Sequence, residues 1–376
     1  MITYGIDAHL LLREHTTGVP RYAWLLLQHM MTKPLQDGER VILYGHAAQP
    51  SDLVLPTGWS WSVLHWPIPR GWTHGRLSLE MMMHPPDVLF VPGHEVPLFV
   101  RKSTKVVTTL HDVAFRTTPE VYDPSSRRRQ EMAVQQAIRR ATIITSPSEA
   151  TKHDLVHLYG MKPERIVVTP LAPTILPTNS DASDLLRRLQ IGDGQYVLSI
   201  SRLEKKKNTA LLIRAFAALK RKLGKGHPLK LVLAGTFGYG EQEIRHAITQ
   251  EGVHDDVRLT GYVSDDDASL LLSHALCFAF PSRAEGFGIP VLEAMAHGTP
   301  VVSVNIPAIR EVAGDAAVLV SPNDAAALMS AMERMLFDPS LRNDYRARGS
   351  EHVKRFSWDA TAETTWLALR SAYRIQ

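Results

Sequence analysis

Short apolar runs alternate with stretches of helical period from one end of the chain to the other. Parallel strands need a long crossover between them, and a helix is the usual one, so this alternation specifies a parallel sheet wrapped by helices. At 376 residues the chain exceeds what one hydrophobic core supports, and the alternation is expected to divide between two domains. The break is visible where Pro170, Pro173, Pro177, Thr178, Asn179, Ser180 and Asp181 interrupt it. An N-terminal domain over 1–177 and a second over 178–356 follow from that linker.

In the first half, strands are expected at 2–6, 41–44, 87–91, 105–110, 141–145 and 166–169. A loop through Thr16, Thr17 and Gly18 leads from the first strand into a helix over 22–31. A glycine after the first strand of such a sheet is where a ligand phosphate or sugar can approach the backbone. The spacing is not Gly-x-Gly-x-x-Gly, so nothing here favours a dinucleotide. Trp59, Trp61, Trp66 and Trp72 crowd one loop-like stretch, where they could stack on a sugar, lie at a membrane interface or, as the ordinary role, pack the domain edge. His111 and Asp112 directly follow a strand, at the sheet end where open α/β proteins bind ligands. The aspartate there can hold either a neighbouring donor or the imidazole tautomer. Arg127 to Arg129 and Arg139 with Arg140 bracket a helical stretch, as a solvated face or a site for anionic lipid headgroups. Ser148 is expected to cap a helix over 149–159 that Gly160 ends.

The second half repeats the pattern, with strands at 196–201, 230–234, 257–260, 275–280, 301–304 and 317–320 and a turn at 307–311. Arg202, Lys205, Lys206 and Lys207 follow the first of these, at the end of the sheet suited to a diphosphate, or form the solvated face that a charge run usually is. Gly235, Gly238 and Gly240 form a glycine-rich turn after the next. Asp265, Asp266 and Asp267 contain an Asp-x-Asp spacing, but behind the Ser264 cap they are the normal acidic complement of a helix start, and no metal site is expected.

The most informative stretch is Arg283-Ala284-Glu285-Gly286-Phe287-Gly288-Ile289-Pro290-Val291-Leu292-Glu293. It reads as strand, loop and helix, with Pro290 at the first helical position and Glu293 in the opening turn. Gly286 and Gly288 let backbone N–H groups come up against a ligand, and the helix start adds unpaired donors and partial positive charge. The result is an anion cradle with a carboxylate on either side.

A net charge of +4 is too small to argue for nucleic acid. No apolar run is long enough to cross a bilayer. The start of the chain has neither the basic flank nor the cleavage site of a signal peptide, and the single Cys277 excludes a disulfide framework. A cytoplasmic enzyme is expected.

The combination resembles the retaining glycosyltransferases of family 4, most of all the bacterial mannosyltransferases of O-antigen and related polysaccharides. That resemblance implies the GT-B fold, two Rossmann-like doubly wound domains facing across a cleft. It implies that a tail beginning at Phe356-Ser357-Trp358 carries helix 357–376 back onto the first domain. It places Glu285 at the donor sugar, Glu293 at the ribose, and Arg202 and Lys207 at the diphosphate, with His111 reaching the sugar. Backbone groups of Gly286, Phe287 and Gly288 would hold phosphate or sugar hydroxyls, and Gly261, Tyr262 and Val263 the base. Gly18 departs from the family's double glycine because Thr17 precedes it. The implied donor is a nucleotide-diphosphate sugar, often GDP-linked, with no metal or other cofactor. The acceptor would be a glycan or lipid-linked saccharide, with peripheral contact to the inner face of an anionic membrane. A sugar-nucleotide epimerase of the same fold and a non-catalytic partner subunit are the alternatives; a phosphorylase would need a pyridoxal-bearing lysine that no feature identifies.

Overall fold

The computed structural model describes residues 1–12, 18–68, 71–175, 181–191, 195–224 and 226–375. Thirteen strands run through them. The first seven are β1 (Ile2–Asp7), β2 (Glu39–Gly45), β3 (Trp59–Val63), β4 (Val88–Val91), β5 (Lys105–Thr109), β6 (Ile143–Ser146) and β7 (Ile166–Val168). They make one sheet in the order β3-β2-β1-β4-β5-β6-β7, with every pairing parallel. The other six are β8 (Tyr196–Ile200), β9 (Lys230–Ala234), β10 (Val257–Gly261), β11 (Cys277–Phe280), β12 (Val301–Val304) and β13 (Ala317–Val320). Their sheet, also wholly parallel, has the order β10-β9-β8-β11-β12-β13. In each sheet the order reverses beside the first strand, between β1 and β4 and between β8 and β11, which is where doubly wound folds open a crevice.

The strands are apolar on both faces because helices cover both faces. Leu89, Val107 and Ile144 in one sheet and Val197, Leu231 and Phe278 in the other are fully buried. In the second sheet, Phe216 and Leu212 of the helix Thr209–Leu223 and Met332 of the helix Ala325–Phe337 pack into the same core. The expected helix over 149–159 is present as Glu149–Tyr159, with the Ser148 hydroxyl accepting from Thr151 N and Gly160 left-handed at φ 63°. Residues 307–311 are not a bare turn. They belong to the helix Pro307–Ala313, because Pro307 preorganises a helix start and Ile309 and Val312 supply a buried face.

Two units divide the contacts: 1–116, 125–171 and 357–376 in the first, and 117–124 and 172–356 in the second. The expected boundary after Pro177 lies outside the described residues. The last helix, Trp358–Arg374, is part of the first unit. Trp366 donates its indole N–H to Met30 O at 3.1 Å and stands edge-on to Tyr4 and Trp59, with ring centroids 5.4 and 6.0 Å away. Arg370 grips Glu39 with two hydrogen bonds of 3.0 and 2.9 Å and lies over the Trp366 ring. Burial alone would raise the Glu39 carboxyl, and the Arg370 and Gln36 donors outweigh it, so this group titrates below the usual range.

The tryptophan stretch is not one loop. Trp59 and Trp61 lie in edge strand β3, whose backbone pairs with β2. Trp72 is buried and donates to Leu64 O at 3.0 Å, and Trp61 donates to Ala47 O. Trp66 lies so close to Gly75 that a methyl group there would meet its ring at 2.5 Å. These rings close the sheet edge.

Trp366→Ala removes a large buried ring with its hydrogen bond, and should destabilise the first unit by about 3–5 kcal/mol. Urea denaturation followed by circular dichroism would show it; a change under about 1 kcal/mol would mean the last helix does not hold that unit together.

Candidate functional site

Because β8 and β11 pair in parallel, with Cys277 opposite Val197 and Phe278 opposite Leu198, the loops that leave their carboxyl ends emerge side by side. After β8 the chain passes Ser201 to Glu204, makes a tight turn at Lys205–Lys207, and enters a helix through Asn208, left-handed at φ 56°. After β11 it runs Pro281 to Gly288. Arg283 N donates to Lys206 O at 2.9 Å, and the Ser282 hydroxyl is 3.2 Å from the same carbonyl, so the loops are joined through their backbones.

On that frame Lys207 Nζ meets Glu285 Oε1 at 2.5 Å. Their side chains are only 16% and 10% exposed, and the ammonium also lies 5.2 Å from the Phe280 ring centroid. This desolvated pair brings together a cation able to meet a phosphate and an anion able to meet a hydroxyl. Neighbouring Lys206 has its ammonium 5.8 Å from the Tyr122 ring centroid.

The second carboxylate is elsewhere. Gly288, at φ 118°, caps the helix Ile289–Ala296, so Pro290 is the second helical residue and Glu293 the fifth, beyond the opening turn. The early start follows from Gly288, whose conformation would strain any side chain and whose Cβ would meet Ile309 at 2.7 Å. Glu293 is buried, and its Oε1 accepts from the Thr174 hydroxyl and, at 3.3 Å, from Thr174 N. Its carbonyl accepts from His297 Nδ1 at 2.6 Å, while His297 Nε2 is 3.0 Å from the Ser269 hydroxyl. Phe287 turns inward, edge-on to Phe356.

Arg202 does not join the Lys207–Glu285 pair. Its side chain is 66% exposed, with Nε 3.9 Å from Glu204 Oε2. What holds its backbone is the glycine-rich turn after β9, which the sequence marks only as a turn. Leu203 N donates to Thr236 O, Gly238 N to Leu203 O and Lys205 N to Tyr239 O, at 2.9, 2.9 and 2.7 Å. At Gly235, φ 137°, a Cβ would lie 1.9 Å from Ser201 O. The clustering of Gly235, Gly238 and Gly240 at one strand end was the signal available for this brace. Gly261 ends β10 with its carbonyl accepting from Gly235 N at 2.7 Å, while Tyr262 beyond it is exposed.

In the first unit, Gly18 has φ 63° and precedes the helix Val19–Met31, while Thr16 and Thr17 lie outside the described residues. His111 is edge-on to Tyr22 at 4.6 Å, and its Nε2 is 3.3 Å from Pro92 O. Desolvation lowers its pKa to about 4, so the ring is neutral near pH 7. Asp112 holds a neighbouring donor, Ala114 N, at 3.0 Å. A second histidine and aspartate pair, which no sequence motif marks, lies at the end of β1. Asp7, 2% exposed at the end of β1, is 2.6 Å from His9 Nδ1, and the His9 ring centroid is 5.1 Å from that of Trp72. An acidic last residue on the first strand followed by histidine was the available hint.

Among the described residues no three His, Cys, Asp or Glu side chains gather as metal ligands. The Ser264 hydroxyl caps its helix by accepting from Asp267 N, and Asp267 pairs with Arg188 at 2.9 Å.

Two family profiles match the chain: Glycosyltransferase Family 4 over residues 16–172 and Glycosyl transferases group 1 over 184–352. The O-antigen chain mannosyltransferase B of Escherichia coli is 32% identical over 259 residues, covering 68% of this chain and 67% of that protein. The serotype-specific mannosyltransferase WbdA of the same organism is 25% identical over 291 residues, and the match spans 76% of this chain but 34% of the much longer relative. Among solved structures, a sucrose-phosphate synthase from Thermosynechococcus elongatus superposes with a TM-score of 0.73 at 18% identity, over 99% of both chains.

Gly235→Ala should cost at least about 2 kcal/mol, since it adds a strained φ to a collision with backbone, and should disorder the Arg202 loop. Thermal melting with limited proteolysis would reveal both. His111 binds its proton less well folded than unfolded, so its contribution to stability is present above pH 6.5 and lost as pH falls from 6.5 towards 4. In that window His111→Gln should flatten the pH dependence of stability by up to roughly 1.4 kcal/mol per pH unit, and parallel curves would refute the assignment.

Proposed function

The chain belongs to the family 4 glycosyltransferases and has their GT-B fold of two doubly wound domains, and on that premise we propose a retaining mannosyltransferase that uses a GDP-linked sugar. The acceptor in this reading is a glycan or lipid-linked saccharide of a cell-surface polysaccharide, reached in the cytoplasm at the inner face of the membrane. The mannosyl assignment is supported by the 32% identical O-antigen relative. The observation that carries the chemistry is the Lys207–Glu285 pair, desolvated at the strand ends where the second sheet's order reverses.

The reaction breaks the bond between the sugar C1 and a diphosphate oxygen and forms one from C1 to the acceptor oxygen. As the first bond lengthens, negative charge grows on the diphosphate and positive character on the ring. Lys207, with Arg202 swinging from its exposed position, meets the diphosphate, and the backbone of Gly286, Phe287 and Gly288 adds N–H donors. Glu285 holds a sugar hydroxyl while its partner lysine is shared with phosphate. Retention places the acceptor hydroxyl on the face the diphosphate leaves, and its proton passes to the departing phosphate oxygen, so no separate base is required. Glu293 takes a ribose hydroxyl in competition with Thr174, and Gly261, Tyr262 and Val263 receive the base. Gly18 and neutral His111 are assigned to the donor sugar, His111 as a hydrogen-bonding group. No metal or other cofactor enters.

GDP-mannose should raise the melting temperature more than UDP- or dTDP-sugars do; at a hundredfold excess over Kd the added stability is about 2.7 kcal/mol. Glu285→Gln should lower kcat by at least about a hundredfold, and Lys207→Ala and Arg202→Ala should reduce kcat more than they weaken donor binding. Equal losses in both would contradict the leaving-group role. Conversion of the donor without acceptor would indicate an epimerase, and donor binding without turnover on any acceptor a partner subunit.

A further inference from the structure

Exposed apolar residues are scattered over most of the chain, but in the first unit five of them lie on two segments that a hydrogen bond joins. In the short helix Ser78–Met83, Leu79, Met82 and Met83 fall on one face by their three- and four-residue spacing, and all three are exposed. Phe99, 61% exposed, and Leu98 lie on the segment after β4, which is tied to that helix by the bond from Phe99 N to Ser78 Oγ at 3.3 Å. Monomeric proteins rarely leave such side chains together in water without a use for them.

The same segment is tied on its other side to the helix Pro124–Arg140. Arg140 donates to Leu98 O at 2.6 Å, and Gln136 to Val96 O at 3.2 Å. From Arg140 the helical row steps back by fours through Gln136 to exposed Met132 and exposed Arg128. Arg139 stands beside it, and Arg101 and Lys102 follow Phe99 after one residue, Val100; all three are exposed. The acidic groups on these segments do not cancel this charge. Glu80 is held between Arg76 and His84 at 2.8 and 3.0 Å, Glu131 is occupied by Gln135 and Tyr159, and only Glu95 is exposed. The surface is therefore an apolar patch rimmed by cations, in a chain whose net charge is only +4.

We propose that this surface docks on an anionic phospholipid bilayer, with Leu79, Met82, Met83 and Phe99 entering the headgroup boundary and the arginine and lysine rim resting on lipid phosphates. It deepens the membrane part of the function proposed above. Charge selects this occupant. A second copy meeting the patch symmetrically would set Arg101, Lys102 and Arg139 against their own equivalents. Nucleic acid would satisfy the cations and leave the methionines in water. Only a surface both anionic and penetrable satisfies the two parts together.

The test is co-sedimentation of the full chain with vesicles of phosphatidylethanolamine containing about a third phosphatidylglycerol, with no donor or acceptor present. The wild type should bind them, bind pure phosphatidylcholine vesicles at least about tenfold more weakly, and release when salt is raised because exposed charges are screened. The triple variant Leu79→Ser, Met83→Ser, Phe99→Ser should bind about tenfold more weakly with an unchanged thermal melt, since every altered side chain is exposed. The pair Arg128→Gln and Arg139→Gln should lose about twenty-five-fold, from roughly fivefold per removed cation. Both variants should retain full transfer to a short water-soluble acceptor. Absence of wild-type binding, or variants that sediment like the wild type, would overturn the proposal. So would a wild-type dimer made monomeric by the triple variant, which would make the patch a subunit interface. Loss of transfer activity in all forms would count against the proposed reaction and leave the vesicle result standing.

Discussion

The parallel register between β8 and β11 is the constraint from which the site follows. Two strands far apart in sequence become neighbours, both pointing the same way, so the loops after them must share one end of the sheet. Lys207 and Glu285, 78 residues apart, then meet at 2.5 Å. A desolvated ion pair is a poor way to stabilise a protein, because removing both charges from water offsets most of their attraction. Its presence at the reversal point of the sheet is the observation that supports the proposed chemistry over a structural clasp.

Holding it ready depends on backbone. The loop carrying Glu285 is joined to Lys206 O through Arg283 N and the Ser282 hydroxyl, and the loop carrying Arg202 is laced to the turn after β9. Gly235 marks where chain passes so close to chain that a Cβ would collide, and Gly288 holds a left-handed turn at φ 118° that would strain any side chain. Positions of this kind give up conformational freedom in the folded state, and in return the charges they carry need little rearrangement when a ligand arrives. Arg202 is the exception: its backbone is braced while its side chain stays largely in solvent.

Glu285 and Glu293 show how similar residues in one motif acquire different surroundings. Glu285, on the loop, has a cation within hydrogen-bonding distance. Glu293, five residues into a helix, is buried against Thr174 with its carbonyl held by His297. In the first unit His111 illustrates a third outcome: packed on Tyr22 and desolvated, it is a neutral hydrogen-bonding group near pH 7.

The alternation of apolar runs with helical periods was enough to specify two parallel α/β domains, because period and punctuation are local properties of the chain. The same local rules located the Ser148 and Ser264 caps, the Gly160 stop and most strands to within a residue or two. The glutamate-glycine stretch and the lysine run were legible as candidates for the same reason. Residue types alone could not show that Lys207 is the lysine that reaches Glu285 while Arg202 stays in solvent, that Gly288 starts its helix early enough to move Glu293 out of the first turn, or that Asp7 and His9 form a pair packed near Trp72. Those outcomes depend on which strands become neighbours and on how closely distant loops pack, and both are settled by burial and hydrogen bonding summed over the whole chain.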